Sequence, residues 1–146
     1  MGRCRHLLLS ALALIYCLIV KETDGQIYLY TEGSISSPNF PDYYPNNTFM
    51  DWLINAPYNQ IIDIRFLKLD LKRKKDQVCV DYVKIFDGTH SGYPLLGTYC
   101  GYDLDARTAG IRVRSSGMFL YVQFVSGPGG SGSGFNMTYT SHGRFS

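Results

Sequence analysis

The sequence predicts an all-β fold, an antiparallel β-sandwich closed by one disulfide. Three observations carry this. Clusters of Asn, Pro, Gly and Ser punctuate the chain at intervals of roughly ten residues; the segments between them alternate apolar and polar side chains; and no segment has helical spacing. Met50, Trp52 and Ile54 share one face of the first clear strand, and Ile62, Ile64 and Phe66 do the same around Asp63 and Arg65. Val83 and Ile85 point inward with Tyr82 and Lys84 outward. Leu120, Val122 and Phe124 belong to the next core face, and Phe135, Met137 and Tyr139 to the last, with Asn136 and Thr138 on its outer side. The glycine-rich stretch Gly127 to Gly134 falls between two strand patterns and is expected to be a flexible hairpin loop.

The amino terminus reads differently. Arg3 and Arg5 precede a charge-free apolar run from Leu7 to Val20, followed by polar residues up to Gln26, which is the layout of a secretory signal. The run is shorter than the roughly 20 residues needed to cross a bilayer, so no membrane span is expected. Cleavage after Gly25 would leave one domain at 26–141 and a short tail at 142–146, a size suited to a single core.

Cys4 and Cys17 lie in the signal, so the mature chain keeps Cys79 and Cys100. A pair in an oxidising compartment reads most economically as a disulfide, worth roughly 3 kcal/mol for a loop of this size. Two free thiols or a metal site are the alternatives, but no second Cys or His pair at ligand spacing accompanies them. Arg3, Arg5, Lys21, Glu22 and Asp24 all precede residue 26, and the remainder is nearly neutral, which disfavours nucleic acid as a partner. Asn46-Asn47-Thr48 and Asn136-Met137-Thr138 are sequons, so Asn46 and Asn136 are candidate glycosylation sites.

Gly33-Ser34-Ile35-x-Ser37-Pro38-Asn39-Phe40-Pro41, Tyr44-Pro45-Asn46, Trp52 with Ile54, Ala56-Pro57, Phe66-x-x-Leu69-Asp70, Cys79, Asp81-Tyr82-Val83-x-Ile85, Asp87-Gly88, Leu96-Gly97-x-Tyr99-Cys100-Gly101 and Gly134-Phe135 occur in an order and spacing that resemble the CUB domain. The resemblance spans about Gly25 to Tyr139. It implies a jelly-roll β-sandwich of extracellular proteins that binds proteins or carbohydrates and is not itself a catalyst.

Two departures from the family pattern matter. Most CUB domains carry a second disulfide, whose positions fall here near Asp24 and on Met50; both cysteines are missing together, and Met50 can fill the space. Many CUB domains also hold Ca²⁺ with a glutamate and two aspartates. Only Asp81 matches. The glutamate position falls on Lys72 and the later aspartate on Gly127, so no metal site and no cofactor are expected.

Candidate ligand contacts remain. Lys72, Arg73, Lys74 and Lys75 form a basic turn between strands; it reads first as a solvated turn and second as a contact for sulfated sugars or acidic proteins. Tyr43, Tyr58, Tyr93 and Tyr102 fall in loops and are free to contact a partner, whereas Tyr44 and Tyr99 belong to the family pattern and read as structural. His90 and His142 have no Ser or Cys nucleophile motif near them, so catalysis is not expected. The expected function is recognition or adhesion toward an extracellular protein. A carbohydrate- or glycosaminoglycan-binding protein similar to the spermadhesins is the alternative, and a structural matrix or coat component a third.

Overall fold

The computed structural model describes residues 26–72, 75–101, 110–130 and 132–145; the expected signal segment, Arg73, Lys74 and Tyr102 lie outside them. Among the described residues nine strands form two sheets: β1 (Ile27–Tyr30), β2 (Glu32–Ser36), β3 (Phe49–Asn55), β4 (Gln60–Asp70), β5 (Tyr82–Phe86), β6 (Leu95–Tyr99), β7 (Arg112–Arg114), β8 (Phe119–Val125) and β9 (Gly134–Gly143). The five-stranded sheet has the order β1-β3-β8-β5-β6 and the four-stranded sheet β2-β9-β4-β7. All pairings are antiparallel except that of β1, which runs parallel to β3 from Ile27 beside Trp52 to Tyr30 beside Asn55.

The alternating pattern is what holds the two layers together. Trp52, Ile54, Leu120, Val122, Phe124, Val83 and Ile85 from one sheet meet Ile35, Ile62, Ile64, Phe66, Val113, Phe135, Met137 and Tyr139 from the other, all buried. Phe135 spans the interface: its ring stands edge-on to Trp52 at 6.1 Å and to Phe124 at 5.3 Å, a favoured aromatic geometry. Gly134, beside it, has φ +88, and a Cβ there would fall 1.8 Å from Ser37 Oγ, so the turn into β9 requires glycine.

Two features of the chain order differ from the sequence expectation. β8 and β9 belong to different sheets, so residues 126–133 cross from one layer to the other and are not a hairpin loop. A hairpin would pair β9 with β8, whereas β8 has β3 and β5 on its two sides and β9 has β2 and β4. β9 also continues through His142 and Gly143, past the expected limit at 141, because Gln60 and Ile61 at the start of β4 offer it pairing partners.

The sulfurs of Cys79 and Cys100 are joined, with the Cα atoms 5.8 Å apart. The bridge ties the approach to β5 to the end of β6 at the edge of the five-stranded sheet. Replacing both cysteines with serine should lower the unfolding free energy by about 2–5 kcal/mol, read by denaturant titration.

Candidate functional site

At the end of the sandwich where β3 and β5 begin and β4 and β8 finish, the connections 37–48, 71–81 and 126–133 converge. Asp81 lies at the centre and is fully buried. A buried carboxylate needs internal donors. The Tyr44 hydroxyl donates to Asp81 Oδ2 at 2.7 Å, and the Gly127 N–H donates to Oδ1 at 2.8 Å. The same Tyr44 oxygen accepts the Lys72 N–H at 2.9 Å. Burial, and then the hydrogen bond to Asp81, push the Tyr44 phenol well above its ordinary range, so it remains a neutral donor.

Lys72 completes the arrangement. Its ammonium donates to the carbonyl of Pro128 at 3.0 Å and to that of Gly129 at 2.6 Å. Asp70 Oδ2 accepts from the N–H and hydroxyl of Ser133 at 2.8 and 2.6 Å, and Ser126 Oγ donates to the Pro45 carbonyl at 2.7 Å. The crossing is thereby tethered at Ser126 to Gly129 and at Ser133. A hard divalent ion needs several oxygens, two or more of them charged. Asp81 has both oxygens engaged, and the cation already present on the carbonyls is Lys72. Among the described residues, the donors around Asp81 do not fit calcium.

The candidate contacts fall in different places. Lys72 is engaged within the molecule. Lys75 is exposed and pairs through its backbone with Val78 around a tight turn, in which Asp76 and Gln77 have φ 51 and 67. Tyr43 is 74% exposed at the Asp81 end. Tyr58 and Tyr93 lie at the other end: β3 and β5 both pair antiparallel with β8, so they run the same way, and the connections that follow them emerge together. Tyr58 is 90% exposed; Tyr93 is 44% exposed and stacks edge-on against His90 at 4.8 Å. The tyrosines therefore form no single patch. Asn46 is exposed, and Asn136 faces outward from β9, partly covered by its neighbours on both flanks.

A cluster that the sequence analysis did not anticipate lies on the outer face of the four-stranded sheet. The Arg114 guanidinium donates to both oxygens of Asp63 at 2.7 and 2.9 Å, and His142 Nε2 meets Asp63 Oδ2 at 2.5 Å. These residues are 51 and 79 positions from Asp63, and the register of β4 with β7 and β9 brings them together. Arg114, and then His142, hold the Asp63 carboxyl below its ordinary 3.8, while Asp63 raises His142 above its ordinary 6.5.

The chain is thus an all-β sandwich with a hydrogen-bonded loop network gathered around Asp81 at one end. The sequence matches the CUB domain family model over residues 24–139, and the chain belongs to that family, whose domains are generally non-catalytic. It is 37% identical over 120 residues to cubilin of Sus scrofa, covering 80% of this chain and 3% of cubilin. It is 39% identical over 103 residues to the dorsal-ventral patterning protein tolloid of Drosophila melanogaster, covering 70% of this chain and 9% of tolloid. Among solved structures, the CUB1-EGF-CUB2 domains of rat MASP-1 superpose with a TM-score of 0.67 at 27% identity, covering 81% of this chain and 43% of that one. The chain thus spans a small part of the relatives it matches.

Three outcomes test this geometry. Tyr44→Phe leaves Asp81 Oδ2 without its donor and should cost about 1–3 kcal/mol in chemical denaturation. The melting temperature of the wild-type domain should not move with about 1 mM Ca²⁺, whereas Lys72→Glu with Gly127→Asp, which restores carboxylates at the two positions where the family pattern has them, should gain calcium-dependent melting. His142 should titrate above 6.5 by NMR. Its contribution to stability is complete below 6.5 and lost as pH rises through the folded-state value; that of Asp63 is present above 3.8 and lost as pH falls through its lowered value. His142→Gln should remove the first of these two losses from melting curves recorded against pH.

Proposed function

We propose that this chain is a secreted, non-enzymatic CUB module that mediates recognition of an extracellular protein without calcium. The observation that carries the reading is the Lys72 ammonium on the carbonyls of Pro128 and Gly129, which organises the converging loops with a cation belonging to the chain. Tyr43 adjoins Tyr44 of this network and presents its ring to solvent, an amphipathic contact on a backbone that is already ordered. The leader-like sequence before Gln26 and the sequons at Asn46 and Asn136 support secretion and glycosylation.

The test is capture with the protein recovered from the medium of secreting cells. Immobilised wild type is exposed to its native extracellular fluid with calcium or with EDTA, and retained proteins are identified by mass spectrometry. The expected result is a defined protein retained equally in both conditions and lost by about tenfold or more with Tyr43→Ala, the size of a central aromatic contact. Retention abolished by EDTA, or unchanged by Tyr43→Ala, would contradict the reading.

A further inference from the structure

The outer face of the four-stranded sheet carries two neighbouring cross-strand pairs of opposite kind. Asp63 opposite Arg114 is complementary. One pair further along the same strands, Arg65 stands directly opposite Arg112. Both are exposed, and among the described residues neither side chain has a hydrogen-bond or ion-pair partner. Directly opposed side chains have Cβ atoms about 4.5–5.5 Å apart, and like charges in that position are destabilising. An anion seated between the two guanidinium groups would turn this repulsion into charge-assisted hydrogen bonds.

The surroundings suit such an anion. The four charged residues, with Thr138 and Thr140 of β9, line an open concavity of about 390 Å³. Thr138 is in register with Arg65, so Arg112, Arg65 and Thr138 lie in one row across three strands, with Arg65 between the other two. Asp63 is the one carboxylate among the lining residues, and its oxygens are occupied by Arg114 and His142. Lys68 extends the positive charge along β4, its ammonium lying 5.8 Å from the Phe40 ring centroid.

We propose that this face binds a sulfated polysaccharide, with one sulfate held by Arg65, Arg112 and the Thr138 hydroxyl and neighbouring sugar hydroxyls reaching Thr140. Exposed cations spread over two strands favour a repeating anionic chain, which gains from many weak contacts, over a single phosphoryl group on a protein. The site is separate from Lys72 and Lys75 and from the Asp81 end of the sandwich. Asn136 is the next outward residue on β9 beyond Thr138, so a glycan there would border the concavity.

The test is binding to immobilised heparin by the secreted protein, both intact and after enzymatic removal of N-glycans from the folded domain. At least one form should bind, with affinity falling as salt rises. Arg65→Gln with Arg112→Gln should weaken binding about tenfold or more, as expected for lost hydrogen bonds to a charged group. Thr138→Val should weaken it less, and Arg73→Gln, Lys74→Gln and Lys75→Gln together should not remove it. The double arginine variant is expected to melt at or above the wild-type temperature, and inorganic sulfate should raise melting of the wild type more than that of the variant. Failure of both forms to bind heparin, equal binding to desulfated heparin, an unaffected arginine variant, or tighter binding to a phosphorylated protein such as phosvitin would each overturn the proposal.

Discussion

Removing a carboxylate from water obliges the surrounding chain to supply its hydrogen bonds, and Asp81 draws them from two connections far apart in sequence. The ring of Tyr44 reaches it from the β2–β3 connection and the backbone of Gly127 from the crossing between sheets. Tyr44 can fill this role because its ring is itself buried edge-on to Phe124 at 5.5 Å, so the hydroxyl's position is fixed by the core. Its oxygen then accepts the Lys72 N–H, which positions the following side chain over the glycine-rich crossing. A single polar requirement at the end of the sandwich thus determines the paths of three connections.

The core faces were legible because period-two alternation is a local property. Met50 to Ile54, Ile62 to Phe66 and Leu120 to Phe124 each show it within five residues, and each lies on the face that the pattern implies. Phe66 and Leu69 both face inward although three residues apart, which is compatible with a strand only through an irregularity; the register of β4 shifts between Phe66 and Lys68, and Leu67 is left 38% exposed. The short strands β1, β6 and β7 carry too few alternating residues to announce themselves. Which sheet each strand joins is not local at all. The glycine-rich segment resembles a hairpin in sequence because glycine serves a tight turn and a closely tethered crossing alike.

The site was legible to a smaller degree. Asp81 and Lys72 stood out against the family pattern, but the sequence could not show that the Lys72 ammonium turns back onto carbonyls 56 and 57 residues away. The Asp63, Arg114 and His142 cluster and the Arg65–Arg112 opposition arise purely from strand register, which no spacing within one segment encodes. Tyr43, Tyr58 and Tyr93 had the converse fate: the structure leaves each of the three exposed, yet strand direction divides them between the two ends of the molecule.

Strand direction has a mechanical consequence as well. β1 runs parallel to β3 toward the end that carries Tyr58, and β9 finishes at that same end beside the start of β4. Tension drawn between Ile27 and Gly143 would act along the strands, loading the β1–β3 hydrogen bonds and the long β4–β9 ladder in shear rather than opening them one at a time like a zipper. Of these two pairings the parallel one spans only four residues, so β1 is the element that would slide first.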